Sequence, residues 1–167
     1  MANLEVKTLL ALQGSVGKLP GVLPAARAMS FFGEHALGWM GLGAVGAVAD
    51  KQRRRGWINV AVSAFISHAA SVVIKRIVRR PRPHDPRIEI GVGTPSKLSF
   101  PSSHATSTTA ALVALTYVVK NPAPLAGVPV MMLSRMVLGV HYPTDTIAGA
   151  ALGAATALGV EKLNGKA

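Results

Sequence analysis

Residues Ser134 to Asp145 read SRMVLGVHYPTD, and apolar sequence lies on both sides of them. PVMMLSRMVLGV runs up from Pro129 to Val140, and TIAGAALGAATALGV follows from Thr146 to Val160. An arginine, a histidine and an aspartate therefore sit in or beside sequence that would dissolve in hydrocarbon. A charged side chain at mid-bilayer costs about 2.5–3.5 kcal/mol or more unless it is paired or faces a polar cavity. Such a cost points to function, and it makes the polar residues of the remaining chain the next thing to place.

The chain has 167 residues, enough for one domain and short for two. Half of it is hydrophobic, only 15% is charged, and the mean hydropathy is +0.38. Average soluble domains carry roughly 25% charged residues, so this balance favours a membrane protein. Small residues are abundant, and pairs such as Gly41 with Gly43, or Gly149 with Gly153, let membrane helices approach closely. The formal charge is +11, from 18 Lys and Arg against 7 Asp and Glu. The basic residues gather between apolar segments, in DKQRRRG and KRIVRRPRPHDPR, and only 5% of the chain is aromatic. That arrangement suits anionic lipid headgroups or a phosphorylated substrate, not the stacking platform that nucleic acid needs. Absence of Cys excludes disulfides, thiolate catalysis and sulfur-ligated metal. MANLEVKTLL lacks the pattern of a cleavable signal peptide.

Five apolar segments stand out, at Phe31–Ala49, Trp57–Ile74, Ala105–Val119, Ala123–Val140 and Thr146–Val160. A helix needs about 20 apolar residues to cross a bilayer. No alternation long enough for a β-barrel is present. The expectation is an all-α membrane protein: a bundle of about five transmembrane helices over residues 31–167, preceded by an interfacial segment, residues 1–30, in which Leu4, Leu9, Leu10 and Leu12 line one helix face. Threading these segments brings Lys75–His104 and His141–Asp145 to the same side of the membrane. That side carries ten Lys and Arg against seven opposite, or eight against seven without Lys75 and Arg82. The positive-inside rule leans narrowly to a cytoplasmic placement.

Three stretches carry the chemistry. KRIVRRPRP places Lys75 and Arg82 with six residues between them, where a plain basic interfacial loop is the simpler alternative. In FPSSHATSTT, Ser102 or Ser103 can cap a helix whose free N–H groups and positive dipole end make an anion site beside His104. In the opening stretch Arg135 lies about 9 Å along a helix from His141. Asp145 falls four residues after His141, close enough to hold its ring. Cations and a helix N-terminus clamp a phosphoryl group, and histidines can serve as nucleophile and acid. A metal site built from His104, His141 and Asp145 is the chemical rival, and the surrounding cations oppose it. A non-enzymatic lipid carrier would use the cations but has no need of the His–Asp pair. Among other polar residues, Glu34 and His35 suit a helix start or contacts to the substrate head. His68 and Ser67 suit interhelical hydrogen bonds. His84 and Asp85 suit loop ordering, with a sugar contact as the alternative for His84.

Together the three stretches resemble the K-x6-RP, PSGH and SR-x5-H-x3-D motifs of the type 2 phosphatidic acid phosphatase superfamily, with Ser103 where the second motif has Gly. The resemblance covers the C-terminal half. It implies that His141 attacks phosphorus to form a phosphohistidine, Asp145 orients its ring, and His104 protonates the leaving oxygen and later helps activate water. It further implies that Lys75, Arg82 and Arg135, with Ser102 and Ser103, hold the phosphate, with no cofactor and no metal. GEHALGW and RRPRPHDPRIEIGVGTPSKLSF resemble an actinobacterial branch whose substrate is a polyprenyl phosphosugar. The partners so implied are that membrane lipid and the bilayer of a bacterial plasma membrane, no nucleic acid, and a homo-oligomer as an open option.

Overall fold

The computed structural model describes residues 4–164. It contains seven α-helices: α1 Leu4–Gly14, α2 Val22–Phe32, α3 Leu37–Ala49, α4 Arg54–Val78, α5 Ser103–Val119, α6 Gly127–Val137 and α7 Pro143–Asn164. Among the described residues there is no strand, only one isolated bridge between Pro81 and Leu98. The architecture is an all-α bundle centred on α5, which packs against α4 on one side and α7 on the other.

The interior of this bundle is small and polar. Ser63, Ser67, Ser71, Thr106, Ser107 and Thr146 are fully buried, while Phe31, Phe65, Val48 and Ile77 are largely exposed. A water-soluble core sorts these types the other way. Lipid removes the hydrophobic drive between helices, so close contact of small side chains takes over. Gly149 shows this: a Cβ there would stand 2.7 Å from the Ser102 carbonyl oxygen and 3.0 Å from Thr106 Oγ1. Gly153 packs likewise on the Thr106 backbone, so the expected small-residue seam joins α7 to α5. Gly43 does the same against Ala61 at 2.8 Å, whereas Gly41 faces open space and packs nothing.

Three of the five apolar segments lie within one helix each, and the other two are altered. Phe31–Ala49 is not continuous. α2 ends at Phe32, and a 3-10 turn at Glu34–Ala36 holds His35 at φ 50° and Ala36 at φ 62° before α3 starts. Hydropathy cannot register a break made by backbone dihedrals in apolar sequence. Ala123–Val140 also shortens, because α6 stops at Val137 and the chain turns through Gly139 at φ 69°. α3 and α6, at about 1.5 Å per residue, are each too short to cross a 30 Å hydrocarbon core alone. Among the described residues, Lys51–Val78 is the one helical stretch both long and apolar enough to do so by itself.

The boundary expected at residue 30 falls inside α2. Both N-terminal helices lie on the site end of the bundle. α1 buries Leu9 against Ile88, Met136 and Tyr142, and α2 buries Ala26 against Leu138 and Val140.

Candidate functional site

The turn after α6 delivers His141, the first turn of α7 supplies Asp145, and the first turn of α5 supplies His104. The last turn of α4 supplies Lys75, and the 79–102 connection folds back over the bundle end with Arg80 and Arg82. A cavity of about 250 Å³ forms where they meet, and Lys75, Arg82, Ser103, His104, Arg135 and His141 all line it. The expected convergence of the three stretches is thus a property of the fold.

Arg82 is the hinge of this arrangement. Its Nε donates to the Ser96 carbonyl at 2.8 Å, and Nη1 donates to the Val140 carbonyl at 2.7 Å. Nη1 also lies 3.1 Å from His141 Nε2. A guanidinium only donates, so Nε2 presents a lone pair and the proton of the neutral ring sits on Nδ1. That Nδ1 lies 3.6 Å from Asp145 Oδ2, outside hydrogen-bond range, and has no other partner. Catalytic hydrogen bonds are often long before substrate binds. His141 is buried, and that burial, with Arg82, Arg135 and Lys75 nearby, pushes its pKa well below the ordinary value. Its ring is therefore neutral, and the lone pair that could attack phosphorus is the one on Nε2, which here faces Arg82 Nη1.

Asp145 is fully buried and multiply held. Oδ2 accepts from the Tyr142 N–H at 2.8 Å, and Oδ1 accepts from Arg80 Nη1 at 2.8 Å. Arg80 also reaches Glu5 of α1 at 2.5 Å and Thr144 Oγ1 at 2.7 Å, and its guanidinium lies 4.2 Å from the Tyr142 ring centroid.

The remaining cations differ in how committed they are. Lys75 Nζ donates to the carbonyls of Ser99 at 2.9 Å and Pro101 at 2.5 Å, pinning the connection that leads into α5. Arg135, only 1% exposed, donates through Nη1 to Ser30 Oγ at 2.7 Å, while its buried Nε has no partner among the described residues. An orphaned guanidinium N–H beside a cavity is a seat for an anion. Ser102 caps α5, its Oγ accepting from the Ala105 N–H at 3.4 Å, and its own N–H donates to the Asp145 carbonyl at 2.9 Å. It ties α5 to α7 and does not line the cavity. Ser103 does line it, its hydroxyl 2.8 Å from Ser71 Oγ. The first-turn N–H groups of α5, which a helix leaves without intrahelical partners, lie beside it.

His104 is buried, and its Nε2 lies 2.9 Å from the Ser30 carbonyl. A carbonyl only accepts, so Nε2 carries a proton and Nδ1 is the nitrogen left for acid–base work. Glu34 and His35 line the cavity. His84 does not line it. It is exposed, with Nδ1 3.2 Å from the Arg82 carbonyl. His68 and Ser67 are not interhelical hydrogen-bond partners: Ser67 bonds the Ala64 carbonyl of its own helix, and His68 packs edge-on to His35 in the cavity wall. Among the described residues no three His, Asp or Glu side chains gather as a metal-ligand cluster.

Three contributors escaped the sequence reading: Arg80, Glu5 and Ser30. Arg80 is hidden in an Arg-rich run, and its only signal is proximity to Arg82. Glu5 and Ser30 carry none, because each acts on residues 74 or more positions away.

Comparison with known proteins agrees with this geometry. A family model described as the PAP2 superfamily matches residues 56–166. A decaprenylphosphoryl-5-phosphoribose phosphatase of Mycolicibacterium smegmatis is 57% identical over 145 residues, covering 87% of this chain and 81% of that protein. Another of that name from Mycobacterium tuberculosis H37Rv is 48% identical over 161 residues, covering 96% and 91%. Among solved structures, Aquifex aeolicus LpxE superposes with a TM-score of 0.77 at 15% identity over 96% of both chains. The transmembrane PAP2 type phosphatidylglycerolphosphate phosphatase of Bacillus subtilis superposes with a TM-score of 0.73 at 19% identity, over 99% of this chain and 88% of that one. With its motifs gathered in one cavity, a family model over most of its length and relatives near half identity, the chain belongs to the PAP2 superfamily and is an integral membrane phosphatase.

Proposed function

We propose that this protein removes the phosphomonoester from decaprenylphosphoryl-5-phosphoribose, giving decaprenylphosphoryl ribose for cell-wall arabinan precursors, through a phosphohistidine. The observation that carries the substrate is identity of 48–57%, over most of both chains, to relatives bearing that name. The chemistry rests on the cavity. Arg135, Arg82 and the α5 N-terminus clamp the phosphoryl oxygens, with Lys75 adding positive charge behind them. His141 Nε2, neutral and unprotonated, attacks phosphorus in line while the P–O bond to the sugar breaks. His104 Nδ1 gives its proton to the departing sugar oxygen. Water, activated by the now neutral His104, then attacks phosphorus, releases inorganic phosphate and frees His141. Asp145 balances the positive charge that the His141 ring carries in the intermediate. No step calls for a metal, because side-chain cations neutralise the phosphate.

The test is phosphate release by purified protein from decaprenylphosphoryl-5-phosphoribose, decaprenyl diphosphate and phosphatidylglycerophosphate side by side. The expected order puts the phosphosugar first in kcat/KM, and a tenfold preference for either other lipid overturns the substrate. We also place the cavity toward the cytoplasm, on the narrow excess of Lys and Arg on that side. The chain has no Cys, so Lys97→Cys gives a single label. An impermeant maleimide should label it only after lysis, and labelling of intact spheroplasts reverses the orientation.

A further inference from the structure

The break between α2 and α3 is built directly onto His104. A Cβ on Gly33 would stand 2.7 Å from His104 Cδ2 and 3.5 Å from Nε2, so the elbow backbone lies flat against that edge of the ring. On the same edge, the Ser30 carbonyl takes the Nε2 proton at 2.9 Å and Glu34 Oε2 sits 3.9 Å away. Glu34 is the one carboxylate within 4.0 Å of His104 among the described residues. It owes its position to two non-glycine residues with left-handed backbone, His35 and Ala36, and such conformations persist only where surrounding structure enforces them.

An acid must arrive protonated, and the surroundings of His104 oppose that. The charged and titratable groups that line the cavity with it are Arg135 from α6, Arg82 from the 79–102 connection, His68, Lys75 and Arg76 from α4, His35 and Glu34 from the elbow and His141 from the α6–α7 turn. All are cationic or neutral except Glu34. The site therefore holds two carboxylate–imidazole pairs: Asp145 at 3.6 Å from His141, and Glu34 at 3.9 Å from His104. The first serves a ring that becomes positive when it is phosphorylated. The second serves a ring that must be positive beforehand.

We propose that Glu34 is the positioning residue of the acid: carried on the Gly33–Ala36 elbow, its carboxylate fixes the His104 ring with Nδ1 toward the leaving oxygen and supports the protonated state. This rests on the reading of His104 as the acid. The Ser30 carbonyl takes the Nε2 proton, with the Glu34 charge 3.9 Å beside it, so the proton on Nδ1 is the one transferred, to the oxygen whose bond to phosphorus breaks as His141 Nε2 bonds to phosphorus.

The experiment compares wild type, Glu34→Gln, Glu34→Asp, His104→Ala and the Glu34→Gln/His104→Ala double variant, on the phosphosugar lipid and on an aryl phosphate, with pH profiles on the lipid. Glu34→Gln should lose ~10-fold or more on the lipid and less on the aryl ester, whose phenolate leaves without help. Its alkaline limb should move down by about one pH unit or more, because an opposite charge within 4–6 Å shifts a titration by that much. Glu34→Asp should restore part of the rate, and the double variant should be no worse than His104→Ala alone. An unshifted alkaline limb in Glu34→Gln, or losses that add in the double variant, overturns the proposal while the acid role of His104 stands. Equal losses of His104→Ala on both leaving groups overturn that role, and the proposal with it.

Discussion

Replacing Arg80 by Ala tests whether the support behind the nucleophile matters as much as the nucleophile. The carboxylate it holds, Asp145, is fully buried, and Arg80 itself is 26% exposed. Leaving a fully buried charge without its partner costs about 3–5 kcal/mol, whereas an exposed pair is worth about 0–1 kcal/mol. Arg80 lies between these limits, and its contact with the Tyr142 ring adds about 0.5–1 kcal/mol. A loss of about 2–3 kcal/mol follows. At 1.36 kcal/mol per decade, that is about 30- to 150-fold in kcat/KM if the whole loss falls on the orientation of His141. A protein that keeps its site geometry and loses global stability would instead melt lower with near-normal kinetics, so both quantities are measured, in detergent. Arg80→Lys keeps the charge but cannot fork between Glu5 and Asp145, and should recover only part of the loss. Glu5→Gln leaves the Arg80–Asp145 contact in place and should cost less than Arg80→Ala. An Arg80→Ala protein within threefold of wild type in kcat/KM and unchanged in melting temperature would refute the reasoning.

Arg135→Lys should stay folded yet lose most of its turnover, because an ammonium cannot offer the planar pair of donors that the orphaned Nε and the second guanidinium nitrogen provide. Near-normal kinetics would reduce Arg135 to holding Ser30. Activity should survive excess chelator, and loss on chelation with recovery on added Zn²⁺ or Mn²⁺ would favour a metal reading. His141→Ala should be inactive on lipid and aryl phosphates alike, with no phosphoenzyme trapped, and residual turnover there would undo the covalent route. Because burial and nearby cations hold the His141 pKa well below 6.5, the nucleophile stays unprotonated as pH falls through 6.5. The acid limb of kcat/KM should lie below that pH, and a limb at or above it would contradict the environment described.

The sequence by itself determined the family, the all-α membrane class and the candidate residues that the fold gathers around one cavity. Membrane burial makes each ionisable residue costly, so Lys75, Arg82, His104, Arg135, His141 and Asp145 stand out against apolar surroundings, and their spacing follows from helix geometry. Small residues at Gly149 and Gly153 likewise declare a helix seam, because nothing larger fits against the Thr106 backbone. Only the tertiary structure decided how the constellation is held. Arg80 forks between Asp145 and Glu5 because the 79–102 connection folds back over the start of α7, where α1 also packs. Ser30 reaches both His104 and Arg135 because α2 stops short and lies across the bundle end. The α2–α3 break depends on left-handed backbone at His35 and Ala36, residues with no intrinsic preference strong enough to announce it. Pattern along a chain encodes period and polarity. A contact between residues 75 or 105 positions apart is set by how whole helices pack, which leaves no local trace.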